Sequence, residues 1–176
     1  VNTNSPRNLL RYDFGTSLSN APIVNVIGDF GGVIPVNCKG FEIVKEGGNW
    51  HGFLVGGATA VNSQMVRLDF GTSLSNTPAI FDLGNLAGLL LNPQDLFVFK
   101  EAGSWYAFTN SGFTGNLLRI DIGPVITNPA PPLTNLGNPG TLAFPTGMWP
   151  VFDGTNWSIF VVNRLTQTIS RLDFGN

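Results

Sequence analysis

The charged residues of this chain recur in one pattern: Arg11-Tyr12-Asp13-Phe14-Gly15, Arg67-Leu68-Asp69-Phe70-Gly71, Arg119-Ile120-Asp121-Ile122-Gly123 and Arg171-Leu172-Asp173-Phe174-Gly175. Residues two apart share a face of a strand, so each Arg stands beside its Asp, with the apolar residues on the opposite face. Such a pair raises the question of catalysis. Catalysis, however, needs one constellation and not one per copy. Arg11/Asp13, Arg67/Asp69, Arg119/Asp121 and Arg171/Asp173 are therefore read as structural. Each Arg is expected to bond its own Asp, a turn amide or the next unit, which fixes register with little net stabilisation.

Trp50, Trp105 and Trp157 also repeat, each just after a turn and three residues before Phe53, Phe108 or Phe160. Repeated aromatics can stack on sugars, one pocket per unit, or fill the space between units with the indole N–H bonded to backbone. Inter-unit packing is the reading adopted. Glycan contact is the alternative for these three and for Trp149, which falls outside the repeat and is expected to be exposed. His51 is the single histidine, and no nucleophile elbow accompanies it, so a Ser-His-Asp triad has no support. Asp29, Glu42, Asp82 and Asp95 are scattered off the repeat. Lys45-Glu46 and Lys100-Glu101 sit at hairpin tips, where solvated charges are expected. Gly28-Asp29-Phe30-Gly31-Gly32 lacks the strand–turn–helix setting of a phosphate loop. No catalytic residue, cofactor or metal ligand is assigned.

The elements that must position these residues follow from the spacing. The four arginines are 56, 52 and 52 residues apart, the period of a supersecondary unit that buries its apolar face against its neighbours. Phe41 to Trp50, Leu96 to Trp105 and Met148 to Trp157 align as a first strand and a turn. Gly47-Gly48-Asn49, Ala102-Gly103-Ser104 and Gly154-Thr155-Asn156 supply the turn chemistry. A second strand starts at each Trp, a third ends in the Arg-x-Asp signature, and a fourth follows Pro22, Pro78 or Pro131-Pro132, an outer position where proline costs least. Four antiparallel strands per roughly 50 residues read as a β-propeller blade. The expected fold is thus all-β, with about three four-stranded blades in a single segment, residues 1–176. The units run approximately 1–31, 32–87, 88–140 and 141–176, the outer two partial. Val1-Asn2 aligns with Val162-Asn163, so the first unit is expected to begin at the end of a second strand. Three blades' worth of strands do not close a ring. The remaining blades are expected from a longer chain or from identical chains.

Composition narrows the function classes. Charged residues make up only 11% of the 176, while 22 Gly, 12 Pro, 14 Phe and 4 Trp favour short strands and tight loops over helices. The formal charge of −2, without a basic cluster, disfavours nucleic acid. No apolar run approaches a membrane span. The lone Cys38 excludes an internal disulfide.

Gly15-Thr16-Ser17-Leu18-Ser19-Asn20-Ala21-Pro22 and Gly71-Thr72-Ser73-Leu74-Ser75-Asn76-Thr77-Pro78 follow the signature almost identically. With Ile169-Ser170-Arg171-Leu172-Asp173-Phe174-Gly175, they resemble the repeats of large secreted propeller proteins of Bacteroidota, often surface proteins associated with gliding or adhesion. The third copy departs at Gly123-Pro124-Val125-Ile126-Thr127. The resemblance implies an extracellular or cell-surface location and transfers no catalytic residue. The first functional expectation is accordingly a non-enzymatic scaffold, adhesion or protein-interaction module. Its contact loops would be Gly56 to Asn62 and Asn128 to Gly140. A glycan-binding propeller is the alternative. An enzyme of the lactonase or lyase kind is third, because it needs acidic or histidine residues at first-strand starts from several blades, and Asp95 stands isolated.

Overall fold

The computed structural model of the chain describes residues 7–174. Among these residues thirteen strands form four antiparallel sheets in chain order. Sheet I pairs β1 (Leu9–Asp13) with β2 (Ile23–Gly28). Sheet II runs β3 (Gly40–Glu46), β4 (Asn49–Gly56), β5 (Gln64–Gly71), β6 (Ala79–Gly84). Sheet III runs β7 (Pro93–Glu101), β8 (Ser104–Ser111), β9 (Leu117–Gly123), β10 (Leu133–Asn135). Sheet IV runs β11 (Pro145–Phe152), β12 (Trp157–Asn163), β13 (Thr168–Phe174). The expected all-β architecture and the antiparallel strand order within each sheet are present. Among the described residues the series of sheets does not close on itself. The expected strand end at Val1-Asn2, and the fourth signature's Gly175, lie outside the described residues.

Local chemistry explains the repeat. β3 turns into β4 through Gly47-Gly48, and β7 into β8 through Ala102-Gly103, every one of these four at positive φ; two-residue hairpins of this kind match the twist of the strands they join. The glycine ending each signature lies in the left-handed region, at φ 64°, 67° and 92° for Gly15, Gly71 and Gly123, where a side chain would be strained. The chain then folds under the sheet, and an asparagine side chain closes the loop. Asn20, Asn76 and Asn128 donate to the carbonyls of Phe14, Phe70 and Ile122 at 2.9, 2.8 and 2.9 Å. The divergent third copy therefore keeps the same loop, with Ile126 in the place of Leu74.

Neighbouring sheets approach most closely along their first strands, β3 to β7 and β7 to β11. Between the sheets lie three apolar clusters. Leu54, Val66, Leu68 and Phe70 fill the I/II junction. Phe53, Val55, Leu96, Trp105, Leu118 and Ile120 fill II/III, and Phe108, Leu117, Met148, Ile159 and Leu172 fill III/IV. Alternation within each strand sends one set of side chains to the preceding sheet and the other to the following one, as a strand buried on both faces requires.

The signature pairs act as the sequence implies. Nε of Arg11, Arg67, Arg119 and Arg171 donates to the Asp two residues on, at 2.8, 3.0, 2.8 and 2.6 Å. Arg11 and Arg67 also reach the next sheet's loop, donating from Nη1 to the carbonyls of Leu74 (3.0 Å) and Asn128 (3.4 Å).

The hairpin-tip charges correct the expectation of simple solvation. Glu46 accepts the indole N–H of Trp105 (2.6 Å), the ammonium of Lys100 (2.8 Å) and the backbone N–H of Ile126 (3.3 Å), all in the following sheet. Glu101 likewise accepts from the indole of Trp157. The indoles of Trp105 and Trp157 are thus satisfied by carboxylates and not by backbone. A buried N–H needs an acceptor, and the glutamate at the preceding sheet's hairpin supplies it.

Candidate functional site: two carboxylates on adjacent first strands

First strands start, and second strands end, at the same edge of each sheet. Gly40 faces Val55, Pro93 faces Ser111 and Pro145 faces Asn163. Two carboxylates lie two residues inside this edge, Glu42 on β3 and Asp95 on β7. In repeat register Glu42 corresponds to Phe97 and Trp149, since the three pair with Phe53, Phe108 and Phe160. Asp95 corresponds to Gly40 and Gly147. Each carboxylate thus replaces an aromatic or a glycine found in the other units. The scatter inferred from the sequence is corrected, because β3 and β7 are side by side.

The close approach is built by Gly40. A Cβ there would fall 2.5 Å from the Leu96 nitrogen and 2.7 Å from the Asp95 carbonyl carbon, so β3 seats against β7 only with glycine at this position. Asp95 reaches across to sheet IV, its carboxylate accepting the N–H of Met148 at 2.6 Å and of its neighbour Leu96 at 2.9 Å. Burial pushes the Asp95 carboxyl above its ordinary value, against the pull of these two hydrogen bonds. Burial and the charge of Asp95 both push Glu42 up. Coupling of this kind separates the tasks of two carboxyl groups.

The surroundings are polar at the edge and aromatic on the strands. Lys39 Nζ donates to Asn92 Oδ1 (2.8 Å), the Asn92 N–H donates to Ser63 Oγ (3.1 Å), and Gln94 Nε2 donates to the Asn92 carbonyl (3.0 Å). Burial, then the charge of Arg164, lowers the Lys39 ammonium from its ordinary value. Trp149, 67% exposed, lies 6.2 Å from Phe97 between ring centroids, while Phe41 points to the opposite face, towards Leu9 and Leu74. Trp149 is therefore accessible as expected, but it belongs to the repeat and shares the Glu42 register.

The other aromatic candidates divide. Trp105 is core, 6% exposed, with Lys100 above its ring. Trp50 and Trp157 are half-buried at the I/II and III/IV junctions. His51 is buried, its Nδ1 2.7 Å from Asp69 Oδ1. Tyr106 and Ser158 face Asp121 and Asp173 in the same register, which makes His51 a partner of the structural pair. A cavity of about 420 Å³ lies elsewhere, in the III/IV wedge between Phe99, Tyr106, Arg119, Asp121, Trp157 and Phe174. Its walls are junction residues, so it does not displace the carboxylate pair as the candidate. Among the described residues no group of three or more His, Cys, Asp or Glu is placed to hold a metal ion.

Comparison with known proteins adds a fold. The chain is similar to the catalytic domain of the GH62 α-L-arabinofuranosidase of Coprinopsis cinerea, with a TM-score of 0.55 and 20% identity. The match covers 78% of this chain and 46% of that one, so the chain spans less than half the length of the domain. No family model and no curated protein matches the sequence. At 20% identity the likeness is one of fold. It nevertheless overturns the expectation of a non-enzymatic scaffold or adhesion module, because the structure matched is a catalytic domain.

Proposed function

We propose that the four sheets are consecutive blades of a β-propeller and that the chain forms part of a glycoside-hydrolysing domain, with Glu42 and Asp95 as its acid–base pair. The juxtaposition of these two carboxyl groups on neighbouring first strands carries the reading. Glycoside hydrolysis uses two carboxyl groups, one giving a proton to the departing oxygen and one acting as an anion. The assignment follows from their surroundings. Glu42 is driven towards its protonated form by burial and by the charge of Asp95, as a general acid requires. Burial raises Asp95 as well, but unlike Glu42 it accepts two backbone N–H donors, which work to favour its anion. Glu42 protonates the glycosidic oxygen as the bond to the anomeric carbon breaks. Asp95 takes a proton from the water that completes the substitution. Phe97 and Trp149 offer apolar ring faces to a sugar. An extracellular setting, expected from the repeat resemblance, suits a polymeric substrate.

The test is hydrolysis of 4-nitrophenyl glycosides, beginning with the α-L-arabinofuranoside because of the structural neighbour, by the wild type and by Glu42→Gln and Asp95→Asn. Release of nitrophenol that falls at least a hundredfold in each variant, with unchanged circular dichroism, supports the reading. A folded protein that hydrolyses none of the panel, or variants that retain full activity, would overturn it.

A further inference from the structure

The charges that serve neither the repeat nor a local bond gather at one edge. The signature pairs take eight charged side chains, and Lys45, Glu46, Lys100, Glu101 and Asp153 stand at the hairpins of the opposite edge. Arg7, Asp29 and Asp82 bond to backbone. Lys39, Glu42, Asp95 and Arg164 remain, and all four lie where first strands start and second strands end. Lys39 immediately precedes β3, and Arg164 immediately follows β12. In repeat register Lys39 corresponds to Gln94 and Thr146, and Arg164 to Gly57 and Gly112. A Cβ would lie 2.2 Å from the Ser63 Cα at Gly57, and 2.7 Å from Gln94 Nε2 at Gly112. Of sheets II to IV, only the last has room for a side chain there, and it carries a cation.

These four charges are sorted by sign and not neutralised. Asp95 acts on Glu42 and Arg164 acts on Lys39, while among the described residues neither cation forms an ion pair with a carboxylate. Like charges held near one another attract an ion of the opposite sign. Both cations are also held in place. Lys39 Nζ donates to Oδ1 of buried Asn92, whose carbonyl accepts the Gly112 N–H at 3.0 Å; an amide oxygen orients an ammonium without cancelling its charge. The Arg164 guanidinium lies 5.3 Å from the centroid of the Phe144 ring, and its backbone N–H donates to the Phe144 carbonyl at 3.1 Å. Phe144 meets Phe113 edge-on at 5.9 Å, and Phe113 is 64% exposed. Cations beside accessible rings match a sugar that carries an anionic group.

We propose that Lys39 and Arg164 bind the anionic group of an acidic polysaccharide, such as a uronate carboxylate, with Phe113 and Phe144 against its sugar rings. Lys39 stands three residues before Glu42, about 10 Å along an extended strand. The anionic unit therefore lies beyond the sugar that meets the two carboxyl groups, and the sugar released can itself be neutral. The proposal rests on the glycosidase reading for the polymer's role as substrate, but binding is measurable without cleavage.

Isothermal titration calorimetry at low ionic strength tests it, with oligogalacturonate, sulfated dextran and neutral xylooligosaccharide as ligands. The proteins are the wild type, Lys39→Gln, Arg164→Gln, the double variant, and Lys45→Gln as a cation lost from the opposite edge. All three sites are exposed, and circular dichroism confirms that the variants fold. The wild type is expected to bind the uronate roughly tenfold more tightly than the neutral chain. Each single substitution at Lys39 or Arg164 is expected to weaken this binding by roughly three- to fivefold, the double variant by more, and Lys45→Gln not at all. Tighter binding of sulfated dextran, with the same losses in the variants, supports the site and assigns the anionic group to a sulfate ester. A wild type without preference for a charged chain overturns the proposal, as do Lys39→Gln and Arg164→Gln proteins that bind like the wild type, or equal weakening by Lys45→Gln. Uronate bound as expected but never cleaved would remove the glycosidase reading and leave this site standing. Cleavage of neutral glycosides by a protein indifferent to charge would do the reverse.

Discussion

Asn110 lies fully buried on β8, and neither its amide nitrogen nor its oxygen has a hydrogen-bond partner. Its repeat equivalents are Val55 and Val162. Valine is close to asparagine in volume, suits a strand, and brings no polar atom into the III/IV junction. Leaving a buried polar group unsatisfied costs about 1–3 kcal/mol, and removing the group by an isosteric apolar residue recovers it. Asn110→Val is therefore expected to stabilise the protein by about 1–3 kcal/mol, with each kcal/mol raising Tm by about 2–4 °C in a chain of this size. Asn110→Ala removes the same polar atoms but leaves a void, so its gain is smaller. Urea titration followed by circular dichroism and tryptophan emission reads both variants. An Asn110→Val protein no more stable than wild type would refute the reasoning, since it would mean that the amide is satisfied.

Three other perturbations follow from the geometry. Glu46→Ala strips the acceptor from the Trp105 indole and the Ile126 N–H, and is expected to cost about 1.5–3 kcal/mol by chemical denaturation. Burial works to raise the Glu46 carboxyl, but hydrogen bonds from Lys100, Trp105 and Ile126 outweigh it and hold the group below its ordinary 4.5. Its contribution is complete above that value and is lost as pH falls through the folded one. The stability gap between wild type and Glu46→Gln should accordingly narrow in acid. Glu42 has the opposite sign: raised on folding, it favours the native state below its unfolded value, and this is lost as pH rises through the folded one. Glu42→Gln should thus be more stable than wild type at pH 7, a comparison that thermal melts at pH 4 and pH 7 decide. Gly40→Ala sets a Cβ against β7 backbone and is expected to cost about 1–3 kcal/mol, the usual toll of overpacking; an unchanged midpoint would mean that the strands are not in contact there.

Legibility in the sequence followed the repeat. Strand order, hairpin turns and Arg–Asp pairing all recur, and a recurring local pattern can be aligned with itself. Glu46 was misread because its partners, Trp105 and Ile126, come from the next unit, and a single unit shows only a charge beside a turn. The candidate site was hidden for a related reason. Glu42 and Asp95 are 53 residues apart and occupy different repeat positions, so neither period nor spacing links them. What marks them is departure: a carboxylate where other units have Phe97 and Trp149, and another where they have Gly40 and Gly147. Their placement on neighbouring strands depends on the close seating of β3 on β7, which appears only once the sheets are stacked.

The placement of the tryptophans has a practical consequence for following assembly of the chain. Trp50 sits at the first junction, Trp105 at the second and Trp157 at the third, while Trp149 stands in solvent. Two of the three junction indoles change hydrogen-bond partner only when the neighbouring sheet arrives with its glutamate. Variants that keep one tryptophan at a time therefore turn each junction into its own optical channel. The order in which the sheets join, or part under denaturant, becomes directly readable from emission.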